Sequence, residues 1–330
     1  MTEPSDAMTR IAFASCFCTT VSTTQPVWSR IAAEQPDHLV LLGDSVYLDI
    51  GAPQPPQQMD TLAFASWLVD RYRAQLAVKS FAALVRGLPA DGRVHSLWDD
   101  HDFLWNDACG VPLAQRPEQV EKIALSTAAQ TLWREVLSAR LAGPSFPQDS
   151  LDARLWPQPA RPLATPSIAL APDLWLHLSD GRTWRTDDSI FGPPRRALFG
   201  SAQRQRLAKA FAAAPADAVH LFASGSTFAG YKRYEEDSAW LLGQAAAHRT
   251  LMLSGDIHRN ELDAFHTGGF PLHEATSSGA AVRLAVVLGS MRENFGLVDV
   301  DAQQLHIRLF DREGLQFERV IDRASWLPLR

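Results

Sequence analysis

Six short apolar runs recur along the chain, each stopping at a polar cluster: IAFASC (Ile11 to Cys16), LVLLGD (Leu39 to Asp44), RVHSLWDD (Arg93 to Asp100), LWLHLSD (Leu174 to Asp180), VHLFAS (Val219 to Ser224) and TLMLSGD (Thr250 to Asp256). Runs of this length, rich in leucine and β-branched residues, predict strands buried on one or both faces. Between them apolar residues return every four positions, as in Leu68, Tyr72 and Leu76, in Leu132 and Val136, and in Leu207 and Phe211. That spacing predicts amphipathic helices, the last of them capped by Ser201. The tail changes period: FGLVDVD, LHIRLFD and LQFERVID alternate around turns at Ala302-Gln303 and Glu313-Gly314, which predicts antiparallel strands closing a sheet. From Gly143 to Pro172 seven prolines (Pro144, Pro147, Pro157, Pro159, Pro162, Pro166 and Pro172) interrupt any period and predict a long surface excursion. The pattern as a whole is that of an α/β chain.

Composition narrows the function. The chain has 330 residues, 46% of them hydrophobic and 21% charged, enough mass for a large core, and a single domain over 1–330 is expected. A formal charge of -6, spread without acidic or basic blocks, leaves no nucleic-acid footprint and no membrane-surface patch, so a small-molecule or phosphoester partner is expected. No apolar stretch reaches the ~18 residues of a membrane span, and the opening MTEPSDAMTR lacks the layout of a signal peptide, which predicts a cytoplasmic protein. Three cysteines, Cys16, Cys18 and Cys109, make a poor disulfide framework and fit a reducing compartment.

Four strand ends carry unusual chemistry: Cys16, Asp44 with Tyr47, Asp99 to Asp102, and Asp256 with His258. A lone aspartate after a strand commonly forms a turn or caps a helix. Four coinciding clusters are another matter, because the carboxyl ends of parallel strands share one rim and carboxylates crowded there repel unless cations neutralise them. Carboxylate, imidazole, phenolate and thiolate are all metal ligands, so a centre with more than one ion is expected.

In this order, FASC, LLGDSVY, LWDDHDFLWND, DGRTWR and LSGDIH resemble the PhoD-like alkaline phosphatase D family of metallophosphoesterases, and the resemblance spans most of the chain. It implies a four-layer sandwich, two facing mixed β-sheets flanked by helices, of the calcineurin-like metallophosphoesterase type. Carried onto matching positions, it implies Cys16, Asp44, Tyr47, Asp99 or Asp100, Asn106, Asp256 and His258 as metal ligands. Exported members of the family begin with a targeting segment and an additional β-domain. This chain starts about ten residues before its first predicted core strand and is expected to be a compact, intracellular variant.

Each residue type suits metal-assisted phosphoester cleavage. Asp44 is the best bridging carboxylate, and Tyr47 lies near enough in sequence to share an ion with it. Thiolate and phenolate together favour iron at one position, leaving an oxygen-rich position for calcium, manganese, zinc or magnesium. Cys18 reads as packing, and Cys109 has no motif around it. One of Asp99 and Asp100 would ligate, Asn106 would offer a neutral oxygen, and His101 would protonate the leaving oxygen. Arg185 would grip non-bridging phosphate oxygens, with Arg182 paired to Asp180. His266 and His273 read as loop histidines, and Trp98, Trp105, Trp175 and Trp184 as core walls. The expected reaction is hydrolysis of phosphomonoesters or phosphodiesters by in-line attack of a metal-bound hydroxide. Another metal-assisted hydrolase is the runner-up. A silent phospho-ligand-binding relative would have lost one of Asp44, Asp256 or His258, and all three stand.

Overall fold

The computed structural model describes residues 8–157, 159, 162–187 and 195–329. Its first sheet has the order β14-β13-β12-β1-β2-β3. The strands are β1 (Thr9–Ala14), β2 (His38–Leu42), β3 (Val94–Leu97), β12 (Phe295–Val300), β13 (Gln304–Asp311) and β14 (Gly314–Asp322). The second sheet, ordered β4-β5-β6-β7-β9-β8, contains β4 (Ser167–Ala171), β5 (Leu174–Leu178), β6 (Val219–Ala223), β7 (Arg249–Ser254), β8 (Asn260–Phe265) and β9 (Leu272–Ser277). Both are mixed: β1, β2 and β3 run parallel, as do β5, β6, β7 and β9, while the remaining pairs are antiparallel. A separate hairpin joins β10 (Val282–Ala285) to β11 (Leu288–Arg292).

Alternation along the strands assembles the layers. In β1, Ile11 and Phe13 enter the core between the sheets with Val40, Leu42, Leu176, Leu221 and Leu253, whereas Ala12, Ala14, Leu39 and Leu41 face outward. The outward face of the first sheet is covered by α1 (Val27–Ala33), α2 (Thr61–Leu76), α3 (Lys79–Gly87) and α6 (Pro117–Ser138). The second sheet is covered by α7 (Ser201–Ala213), α8 (Phe228–Tyr231) and α9 (Glu235–Ala247). Two one-turn helices, α4 (Asp100–Phe103) and α5 (Gly110–Leu113), lie between α3 and α6. The result is the expected four-layer sandwich, helices outside two facing mixed sheets.

Some local expectations are corrected. The run from Arg93 is strand only through Leu97, because Asp99 occupies the N-cap position of α4 and Asp100 begins its turn. Ser201 is the first residue of α7, behind Gly200 at φ 70°, and makes no capping bond. Within the proline-rich stretch, Phe146, Leu155 and Leu163 are buried, and β4 pairs with β5 as an edge strand. His273 lies in β9 with Nε2 3.1 Å from the Trp326 carbonyl oxygen, so it is a sheet histidine, and Trp184 is 45% exposed. The opening residues 1–7, on which the localisation expectation partly rests, lie outside the described residues.

Candidate metal centre

The carboxyl ends of β1, β2 and β3 from one sheet and of β5, β6 and β7 from the other open onto a common rim. Four residues there, Cys16, Asp44, Asp256 and His258, have positive φ of 61°, 51°, 76° and 53°. Non-glycine residues avoid this conformation at a cost of roughly 1–2 kcal/mol each. The surrounding contacts must offset it.

Asp44, Asp100 and His101 come together from β2's end and from α4, with one potential ligand atom of each within 4.8 Å of the others. Cys16 Sγ lies 3.3 Å from Asp44 Oδ2 and 3.2 Å from Ser278 Oγ. The Tyr47 ring packs on His101 at 4.2 Å between centroids. Both Cys16 and Tyr47 are buried, which pushes their acid groups upward and keeps them protonated unless a cation draws the proton off. Asp44 Oδ1, Tyr47 Oη, Asp99 Oδ2 and Asp100 Oδ1 are buried without a hydrogen-bond partner. Unpaired buried oxygens of this kind cost several kcal/mol in total, and a hard cation satisfies them together. By that test the donor set fits a metal ion.

The carboxyl groups respond to the crowding. Burial, then Cys16, raises Asp44 well above the carboxylate range. Burial also raises Asp99. Asp256, exposed at the rim, is raised to about 7, through desolvation by the surrounding protein and the charges of Asp99 and Asp100. Asp100 differs: burial works against its charge, yet Arg182, His101 and the Asp107 backbone outweigh it and hold the group at about 2. His101 is buried too, which disfavours its cation, but Asp44, Asp49 and Asp100 overcome that and raise it to about 10.

Arg182 does not pair with Asp180. Its Nε donates to Asp99 Oδ1 at 2.5 Å and its Nη2 stands 3.5 Å from Asp100 Oδ1, because the loop after β5 crosses to the loop after β3. Asp180 instead accepts from Trp98 Nε1 and from the backbone of Arg182 and Thr183. Arg185, half-buried, donates from Nη2 to Ser226 Oγ at 2.8 Å. The His258 backbone N–H donates to Ser278 Oγ, and its Nδ1 lies 3.1 Å from the Leu284 carbonyl oxygen. Asn106 is exposed at the edge, its side-chain amide donating to Asp107 and its backbone N–H to Asp49.

No model of a known protein family matches the sequence, and no curated protein matches it. Among solved structures, the structure of PhoD superimposes with a TM-score of 0.69 over 98% of this chain and 72% of that one, at 15% identity. The chain has the PhoD fold. Matches at lower similarity include a Vps29 double mutant from Entamoeba histolytica (TM-score 0.37, 10% identity, 95% of this chain and 98% of that one). Another is a conserved uncharacterized protein, a predicted phosphoesterase, from Streptococcus pneumoniae TIGR4 (TM-score 0.34, 11% identity, 96% and 98%). The PhoD resemblance seen in the five ordered motifs therefore holds at the level of architecture. No described helix is long and apolar enough to cross a membrane.

Several supporting roles escaped the sequence reading. Asp49 Oδ1 lies 2.6 Å from His101 Nδ1, which leaves Nε2 as the ring nitrogen free to face the centre. Asp102 is wholly buried and accepts from Ser45 N (2.7 Å), Val46 N (2.9 Å) and Asp99 N (3.0 Å), tying the loop after β2 to the start of α4. Ser278 joins Cys16 to His258. Gly225 has a steric reason: a Cβ there would stand 2.6 Å from Asp99 Cγ and Oδ1. The Asp residues had a readable signal, an acidic residue beside a motif, whereas the serines had none.

Proposed function

We propose that this protein is a metal-dependent phosphoesterase acting on phosphomonoesters or phosphodiesters of small molecules. The observation that carries the reading is the convergence of Asp44, Asp100 and His101 beside buried, unpartnered oxygens of Asp44, Tyr47 and Asp99. Asp44 would serve both positions, with Cys16, Tyr47 and Asp100 holding one ion and Asp256, His258 and Asn106 the second. Asp100 is preferred over Asp99 because Asp100 reaches the Asp44–His101 group, while Asp99 Oδ1 is held by Arg182. Thiolate and phenolate donors favour iron at the first position, with calcium or another divalent ion at the second. Bound ions would supply Lewis-acid charge and an activated water.

The chain's own groups do the rest. Arg185, held by the Gly181 carbonyl and Ser226 Oγ, lies near enough to lower Asp256, and its remaining N–H groups would donate to non-bridging phosphate oxygens. His101 presents Nε2 to the leaving oxygen while Asp49 fixes its tautomer. Cations that compensate Asp44 and Asp100 would weaken the charges that raise His101, which favours release of its proton. Metal analysis of the purified protein, its visible spectrum and a panel of phosphoesters test the proposal together. Bound metal with turnover of at least one ester is expected, and ferric iron on Cys16 and Tyr47 would colour the protein. A metal-free preparation that neither takes up ions nor hydrolyses any ester after metal addition would overturn it.

A further inference from the structure

Among the groups that are not themselves candidate ligands, one buried hydroxyl touches both sides of the centre. Ser278 directly follows β9 and has no exposed surface. Its Oγ accepts from the His258 backbone N–H at 2.9 Å and lies 3.2 Å from Cys16 Sγ. Accepting that bond leaves the hydroxyl proton free to donate, and a buried hydroxyl proton needs an acceptor. Cys16 supplies it. The sulfur also faces Asp44 Oδ2 at 3.3 Å, so the proton these two acids share, or a cation in its place, lies between them and leaves sulfur lone pairs to Ser278. Ser15 Oγ stands 3.4 Å from the sulfur as well, but its hydroxyl donates to the Ser277 carbonyl. The backbone around Ser278 is fixed: Asn294 Nδ2 donates to the Ser278 carbonyl at 2.6 Å, and the Gly279 and Ala280 N–H groups both donate to the Ser15 carbonyl. A continuous chain thus runs from the His258 N–H through Ser278 and Cys16 to Asp44, joining proposed ligands of both ion positions.

We propose that Ser278 is a positioning residue of the metal centre: its hydroxyl, aimed by the His258 N–H, donates to the Cys16 sulfur, orients it and draws off part of its electron density. This rests on the metal-centre part of the phosphoesterase reading. A hydrogen bond to a ligating sulfur lowers the energy of its lone pairs, which shows directly in the energy of sulfur-to-metal charge transfer. An ion that receives less charge from sulfur is the stronger Lewis acid toward a phosphoester.

The test loads the metal-free protein with cobalt(II), whose thiolate charge-transfer band reports on the sulfur whichever ion is the natural one. Loss of the band in Cys16→Ser assigns it to Cys16. Ser278→Ala should move the band to longer wavelength and weaken cobalt affinity about 10- to 100-fold, the usual cost of losing a partner that orients a ligand. Ser278→Thr, which restores the hydroxyl, should bring the band back. Asn294→Ala loosens the same turn but keeps the hydroxyl, and should leave the band in place. A band at wild-type energy in Ser278→Ala, an equal shift in Asn294→Ala, or no thiolate band in the wild type overturns the proposal. If Ser278→Ala does not fold, the wild type alone decides: the cobalt–sulfur stretch in resonance Raman should shift after exchange into heavy water, and a stretch that stays in place overturns the proposal. A band that moves with Ser278 in a protein that hydrolyses no ester keeps this role and defeats the phosphoesterase reading, whereas ester turnover without a thiolate band does the reverse.

Discussion

Asp102→Asn isolates what holds the two halves of the carboxylate cluster in register. Asp102 Oδ1 accepts from both Ser45 and Val46, and Oδ2 accepts from Asp99 N alone. An asparagine can keep its carbonyl toward Ser45 and Val46, but then its amide faces the Asp99 N–H, donor against donor, inside a fully buried pocket. Losing that bond and leaving a buried donor unpaired should cost about 2 kcal/mol. Asp102→Ala strips all three backbone donors of their acceptor and should cost about 4 kcal/mol or more. At about 2–4 °C per kcal/mol for a large domain, the asparagine variant should melt about 4–8 °C lower. Urea unfolding of the metal-free proteins measures the loss, and metal titration should show weakened affinity in both variants, since Asp44 and Asp100 flank the clamped segments. An asparagine variant within about 0.5 kcal/mol of wild type, or an alanine variant no worse than the asparagine one, would refute the clamp.

Asp44→Asn should lower metal content and activity together, because Asp44 stands beside Cys16 and groups with Asp100; wild-type metal occupancy in the variant would remove Asp44 from the bridging role. His101→Ala should cost about 10²- to 10⁴-fold in turnover with metal content near normal, and less for p-nitrophenyl than for alkyl leaving groups. A parallel loss of metal would make His101 a ligand instead. The metal-free protein should lose stability as pH rises from about 7 to 9, above the range in which the buried histidines His38, His95, His177 and His220, lowered to about 3–4, push stability the other way. His101, raised to about 10, stabilises fully below about pH 6.5 and loses that contribution on the way to 10. Asp102, raised to about 7, acts with the same sign between about pH 4 and 7, each group contributing at most about 1.4 kcal/mol per pH unit. Asp100, held at about 2, opposes them only below about pH 4. Melting of the chelated protein across this range checks it, and a Tm that climbs with pH would contradict the charge assignment.

The legible part of the site is the part carried by strand ends. An apolar run long enough for one strand must stop at the sheet's edge, so Cys16, Asp44 and Asp256 could be placed on a rim from the chain alone. The second sheet's outer strands were harder, because NELDAF and LHEATS mix charged with apolar residues and Glu274 is buried in β9, where its carboxylate meets Phe228 N. The string DDHD could not be divided either. Only the turn of α4 sends Asp99 to Arg182, Asp100 and His101 to Asp44, and Asp102 back to Ser45, four neighbours with three destinations.

The two Gly-Asp pairs show most plainly where local pattern stops and packing begins. In sequence an aspartate after a strand is an ordinary turn former, and Gly43 and Gly255 merely precede one. In the folded chain a Cβ at Gly43 would stand 2.6 Å from Asp99 N, and one at Gly255 would stand 2.6 Å from Ser15 Oγ. Each glycine is required by a segment of another strand's end, Trp98-Asp99 for Gly43 and Ser15 for Gly255. The aspartates that follow, at φ 51° and 76°, take up the left-handed turn, Asp44 buried and Asp256 exposed at the rim. Glycine thus lets loops of different strands touch, and the strained aspartate next to it stands at that contact, where the proposed ligand positions lie. Such strain persists only where surrounding contacts over-determine it, and here Ser45, Val46, Asp99 and Asp102 supply them.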